Sequence, residues 1–141
     1  MSATHRSITF PSVIENIHLV ERLIDEIVAQ YHVKEDHYGE LLIAMTEAVN
    51  NAIVHGNRLD ASKQVTVHFN VVDDTVIRFT IEDEGPGFDY NSLPDPTAPE
   101  NIEKPHGRGV FLMRQLADKC DFVDNGRVVV LDFAVLDAQP A

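Results

Sequence analysis

Apolar residues along this chain follow two periods. Between Val13 and Tyr31 they recur at Val13, Ile17, Val20, Ile24, Ile27 and Tyr31, in alternating gaps of four and three. That spacing marks one face of a helix. Ser12 followed by Glu15 reads as a capping box at its start. A second helix is predicted from about Glu35 to Val54, with Asp36 as its cap. Leu41, Leu42, Met45, Ala48, Val49 and Ala52 form its buried stripe, and Gly56 stands where a C-cap glycine belongs. Ahead of the first helix, Ser7 to Phe10 alternates and predicts an edge strand. Beyond the second, the period changes to two. Val65, Val67, Phe69 and Val71, then Ile77, Phe79 and Ile81, alternate with polar residues on either side of Asp73-Asp74 and predict a hairpin. A third helix is predicted from about Gly109 to Lys119. A final hairpin, Asp121 to Asp124 and Arg127 to Val135, turns at Asn125-Gly126, a type I′ signal.

The resulting order is α, α, β, β, loop, α, β, β. Helices and hairpins without strict βαβ alternation predict an α+β fold, a two-layer sandwich of helices on a mostly antiparallel sheet. The 141 residues suit a single domain spanning 1–141. Between Asp83 and His106 lies a long irregular segment with five prolines and two glycines. Loops of that length in a compact domain usually carry function.

Charge narrows the partners. With 23 acidic against 11 basic side chains, the formal net charge is -12. Such a chain repels nucleic-acid phosphates and anionic lipid surfaces, so neither nucleic acid nor membrane is expected as a partner. A nucleotide would need Mg²⁺ and local backbone donors to offset the same field. The single cysteine, Cys120, permits no intramolecular disulfide. The opening MSATHRSITFPS has no long apolar run, and no stretch approaches the ~20 apolar residues of a membrane helix. These features predict a cytoplasmic protein.

Three segments carry candidate chemistry. The first runs from Glu47 to Asn57 (EAVNNAIVHGN). Glu47 and Asn51 are four apart and share a helix face. A carboxylate beside an amide oxygen suits Mg²⁺, which takes few protein ligands and keeps its waters and phosphates. The same carboxylate can take a proton from an attacking hydroxyl. The second is Asp83-Glu84-Gly85-Pro86-Gly87-Phe88-Asp89, directly after a strand. Its glycines let backbone approach a ligand, and an ionised Asp can receive an exocyclic amino group. The third is His106-Gly107-Arg108-Gly109-Val110-Phe111-Leu112-Met113, opening a helix. Glycines there expose N–H groups at the positive end of the dipole, a phosphate site, and Arg108 can add a fork of donors. Each segment alone also fits a plainer role: a polar helix face, an acidic turn, a flexible joint with a surface arginine. Their combination on a helix, a strand end and a helix start favours the nucleotide reading, with the proline-rich loop placed as a lid.

At these residues the chain resembles the GHKL ATPases and kinases, the group of gyrase, MutL, the heat-shock chaperone and the histidine kinases. EAVNNAIVHGN is similar to their N box, DEGPGFD to the first glycine box and HGRGVFLM to the second, in the family's order. The wording and spacing look most like the anti-sigma-factor serine kinases. The resemblance implies ATP and Mg²⁺ as cofactors, Asn51 as the Mg²⁺ ligand and Glu47 as the catalytic base. It implies Asp83 as the adenine contact, helped by Gly85 and Gly87, and Gly107, Arg108, Gly109 and Val110 at the phosphates. Asn50, on the next helix position, would face the site's edge. His55 matches a family position as a packed or capping histidine. Such kinases phosphorylate a serine on a small antagonist protein of the STAS fold, bind a sigma factor in exchange, and form homodimers. A nucleotide-dependent switch that sequesters partners without a kinase step is the alternative. The sequence departs from the pattern once. Many relatives carry a glycine-threonine pair entering the last strand, whose hydroxyl helps bind adenine, whereas this turn reads Asn125-Gly126-Arg127-Val128.

Overall fold

A computed structural model describes residues 5–86 and 108–137. Strand β1 (His5–Pro11) leads through a tight helical turn, Ile14–Asn16, into α1 (Ile17–Tyr31) and α2 (Glu35–Asn50). A π-helical turn, Asn51–Gly56, extends α2. Then come β2 (Gln64–Val72), β3 (Val76–Glu82), α3 (Arg108–Leu116), β4 (Lys119–Val123) and β5 (Val128–Phe133). The strands form one sheet in the order β1-β2-β3-β5-β4, every neighbouring pair antiparallel. This is the expected α+β sandwich, with β1 at an edge.

Register decides which side chains meet the helices. Phe69 pairs with Phe79, Phe79 with Leu131, and Ile81 with both Val67 and Val129. All are buried, together with Val20 and Ile24 of α1, Met45 and Val49 of α2, and Val110 and Met113 of α3. Aromatic rings run through this layer. Tyr31 lies 5.5 Å from Phe69, Phe69 5.8 Å from Phe79, and Phe79 6.2 Å from Phe133, centroid to centroid. Tilted and edge-on contacts of this kind suit the ring quadrupoles. The other face of the sheet is polar. There Arg78 and Asp132, directly opposed across β3 and β5, pair through two parallel bonds of 2.8 and 3.0 Å.

Local signals held where they matched backbone conformation. Asp73 and Asp74 both take positive φ (52° and 62°), as do Asn125 (57°) and Gly126 (86°). Both hairpins therefore turn through mirror-image backbone that matches strand twist.

Signals that relied on side chains were redirected by tertiary contacts. The Ser12–Glu15 capping box does not form. Ser12 is buried and donates to the Lys63 carbonyl at 2.8 Å, so α1 starts only at Ile17. Asp36 does not cap α2. The N-cap position falls on Lys34, and Asp36 lies inside the first turn. There its charge still favours the helix N-terminus. Gly56 is not a left-handed C-cap, since positive φ falls instead on Arg58 and Leu59. The third helix ends at Leu116 rather than Lys119, because Lys119 already pairs with Asp132 in the sheet.

One buried polar residue ties these pieces together. Asn57 is 1% exposed. Its side-chain amide donates to Ser12 Oγ at 2.7 Å and to the Gln64 carbonyl at 3.0 Å, and accepts from the Glu84 N–H at 2.7 Å. Its backbone N–H donates to the Ala52 carbonyl at 2.8 Å, a five-residue step that closes the π turn. The end of α2, the exit of β1, the start of β2 and the exit of β3 are thus joined at one amide. Asn57→Ala would remove three hydrogen bonds, one to buried Ser12 and two to part-buried backbone groups of Gln64 and Glu84, at about 1–3 kcal/mol for a buried group left unsatisfied and less where water reaches it. The expected loss in urea unfolding is about 2 kcal/mol or more. A change too small to resolve would remove Asn57 from this role.

Candidate active site

The π turn lies within the Glu47–Asn57 segment. Such turns insert one residue into a helix and often mark functional sites. The Asn51 N–H still donates to the Glu47 carbonyl, so the two side chains remain one turn apart, as the sequence spacing predicted. Both are half-buried, as is Asn50. Past Asn51 the wider turn rotates Gly56 and Asn57 inward, where both are buried. His55 is exposed.

Two close approaches flank this helix. At its far end, Gly56 lies against the Asp83 carboxylate, and a Cβ on Gly56 would overlap it. Gly85 presses on the Gly56 carbonyl oxygen so closely that its own Cβ would collide with that atom. The second approach is at Glu47. The first turn of α3 packs there, and a Cβ on Gly109 would sit 3.0 Å from Glu47 Oε2. Three glycines therefore permit three backbones to close on two carboxylates.

Asp83 is only half-buried, yet its environment is specific. Gly85 N–H donates to Oδ1 at 2.8 Å. Burial, the strongest influence, pushes the carboxyl above its ordinary range. The Gly85 bond and then the charges of Arg127 and Lys63 pull it part of the way back. The loop after Asp83 is held by Arg127, whose Nε donates to the Gly85 carbonyl at 2.7 Å.

The structure thus brings Glu47 to Gly109, and Asp83 and Gly85 to the end of the helix that carries Asn50 and Asn51. Val110 follows Gly109 with its side chain buried in the core at 3% exposure. It can offer a ligand only its backbone. Arg108 is exposed at the start of α3. Gly87 and Gly107, expected at the site, lie outside the described residues, as does most of the proline-rich segment. Sequence reasoning missed Asn57, Lys63 and Arg127. Asn57 stood in a quoted motif without a role. Arg127 was visible only as a departure from the glycine-threonine pattern. Lys63 carried no signal.

A family profile described as a histidine kinase-like ATPase domain matches residues 10–133. The chain belongs to this family. Curated relatives of the domain include the serine-protein kinase RsbW of Bacillus cereus strain B4264, 25% identical over 128 residues, covering 86% of this chain and 79% of that protein. The serine-protein kinase RsbW of Staphylococcus aureus strain JH9 is 27% identical over 116 residues, covering 77% and 72%. Among solved structures, the RsbU and RsbW domains of a Mycobacterium tuberculosis protein match with a TM-score of 0.68 at 15% identity, covering 97% of this chain. This chain spans only 34% of that longer one. The histidine kinase domain of a blue-light activated kinase from Erythrobacter litoralis matches with a TM-score of 0.54 at 19% identity, covering 96% of this chain and 65% of that one. Both likenesses concern the fold. Among the described residues, no helix is long and apolar enough to cross a membrane.

Glycine substitutions test the close approaches. Gly85→Ala is expected to destabilise most, because its Cβ meets backbone, and Gly56→Ala somewhat less, because its Cβ meets a short side chain. Gly39→Ala, in exposed α2 with no atom within 4 Å of its Cβ, is expected to stabilise by about 0.5–1 kcal/mol. Urea midpoints for the three variants should fall in that order, and a Gly85→Ala protein as stable as wild type would contradict the packing.

Proposed function

We propose that this domain is an ATP-dependent serine protein kinase that acts as an anti-sigma factor, phosphorylating a STAS-type antagonist protein. The observation that carries the reading is that Glu47 and, nine residues on at Gly56, the Asp83 carboxylate lie along one helical unit. Each is met by glycine backbone, Glu47 at Gly109 and Asp83 at Gly56 and Gly85. The separation suits a nucleotide lying along the helix, base at Asp83 and phosphates toward α3. Curated relatives named serine-protein kinase support the class of reaction.

The residues present fit Mg²⁺-ATP. Gly56 and Gly85 let backbone pack directly beside Asp83, which fixes its half-buried carboxylate at the end of the helix. An ionised Asp83 accepts only, which suits the exocyclic amino group of adenine. The first turn of α3, from Arg108 through Gly109 and Val110, offers backbone N–H groups and the positive end of a helix dipole to the phosphates. Asn51 would hold Mg²⁺ through its amide oxygen, a neutral ligand suited to a hard cation, with Asn50 at the margin. Bound Mg²⁺-ATP supplies the phosphoryl group and the charge neutralisation. Glu47 accepts the proton from the serine hydroxyl as that oxygen attacks. Positioning supplies most of the catalysis. Homodimerisation and exchange of the antagonist for a sigma factor complete the proposed partner-switching cycle in the cytoplasm.

The first test is a transfer assay with the full chain, Mg²⁺, γ-labelled ATP and host-cell extract. An acid-stable label on one small protein is expected, lost in Glu47→Ala while ATP binding persists. Transfer by Glu47→Ala at the wild-type rate would overturn the assignment of the base. No label despite ATP binding would favour a switch that sequesters partners without phosphorylating them.

Asp83 yields a second test with two signs. Because burial raises its folded pKa, the folded chain holds that proton more tightly than the unfolded chain. The ionised carboxylate therefore costs stability. That cost is absent below the unfolded pKa and fully present above the raised folded one. Asp83→Asn is expected to raise the melting temperature at pH 7 and to lose that advantage as the pH falls through this window. It is also expected to weaken ATP binding. A variant that melts lower than wild type at pH 7, or binds ATP equally well, would contradict the assignment.

A further inference from the structure

The loop after β3 is attached to β5 twice. The last register pair is Glu82 with Val128, and one step beyond it the Asp83 N–H donates to the Arg127 carbonyl at 2.9 Å. The Arg127 side chain then turns back over the same loop. Its Nε donates to the Gly85 carbonyl at 2.7 Å, its Nη2 to the Pro86 carbonyl at 3.3 Å, and its Nη1 to Asp124 Oδ1 at 3.3 Å. One planar fork thus spans two successive carbonyls and a carboxylate, a geometry that a point-like ammonium cannot reproduce. The side chain is one-third exposed, at 33%, so the fork lies at the rim of the loop and not in the core.

The two carbonyls belong to a segment with little stiffness of its own at Gly85. Gly85 also supplies the N–H that engages Asp83 Oδ1 at 2.8 Å. Any shift of Gly85 therefore changes which lone pairs of the Asp83 carboxylate are occupied and where the remaining ones point. A threonine at 127 carries its hydroxyl on Cβ and cannot extend to these carbonyls.

We propose that Arg127 is a positioning residue for base selectivity, holding the Gly85–Pro86 backbone so that Asp83 presents a fixed acceptor to a purine amino group. The inference rests on the reading of Asp83 as the base contact. An acceptor held in place rewards the 6-amino group of adenine and repels the 6-oxygen of guanine. A loosened loop discriminates less. Arg127 would thus do by restraint what a threonine hydroxyl does in relatives by direct contact.

The test measures dissociation constants for ATP and GTP by calorimetry on the full chain, for wild type, Asp83→Asn, Arg127→Thr and Arg127→Lys. Arg127→Thr is expected to weaken ATP binding on the order of tenfold, as for loss of a charged hydrogen bond. It should lower the ATP-over-GTP preference by a similar factor, and Arg127→Lys, with one compact donor group, should recover part of both. General destabilisation would weaken both nucleotides together and leave their ratio alone, so an unchanged ratio in folded Arg127→Thr overturns the proposal. Should Arg127→Thr fail to fold, Arg127→Gln, which keeps the stem and one amide donor, is read by the same ratio. If Asp83→Asn binds both nucleotides as wild type does, the reading of Asp83 fails and this proposal fails with it. If Asp83→Asn loses selectivity and the Arg127 variants keep it, only the role of Arg127 is overturned.

Discussion

The contact between the end of α2 and the loop after β3 is the constraint on which the rest of this structure depends. Gly56 and Gly85 pack backbone against backbone, with the Asp83 carboxylate wedged beside them. No side chain larger than hydrogen fits at either position without displacing main chain or carboxylate. Helix layer and sheet are therefore locked at one point, and Asn57 seals it by bonding to three neighbouring segments. The π turn belongs to the same constraint. A regular α-helix through Gly56 would carry Gly56 and Asn57 onto another azimuth, and the approach to Asp83 would be lost.

The electrostatics follow from that lock. A chain with a net charge of -12 gathers few cations, yet Lys63 and Arg127 both act on Asp83. Neither restores the carboxyl to its ordinary range, because burial dominates. A carboxylate kept partly desolvated is costly in the free protein and a strong acceptor for a donor that arrives without water. Stability is given up at the ionised Asp83, while the apolar layer of Phe69, Phe79 and Phe133 maintains the fold around it.

Nine residues before Gly56, and three before the end of α2, Glu47 meets Gly109 with its oxygen close to backbone. The Glu47 carboxylate and the start of α3 are thus set by one packing contact. Val110 and Met113 anchor α3 in the core. Position, and not unusual side-chain chemistry, is what the proposed site would supply to phosphoryl transfer.

Much of this was legible from the sequence alone, for physical reasons. Periods of two and of three to four residues are set by backbone geometry, so the strands, the helices and their inward faces could be read directly. Asp73-Asp74 and Asn125-Gly126 announced their turns because few residues tolerate positive φ. The pairing of Glu47 with Asn51 followed from helical spacing, and ordered glycine motifs identified the family. What only tertiary structure decided were contacts between segments distant in sequence. Ser12 carries the local signature of a cap but is claimed by Lys63 and Asn57. Gly56 carries the signature of a helix stop but is required by Asp83. Arg127 could be read only as a missing threonine until the fold laid its fork across Gly85 and Pro86. Local sequence determines backbone preference within a few residues. Which polar group satisfies which buried partner depends on where the sheet register and helix packing bring them, and no spacing along the chain encodes that.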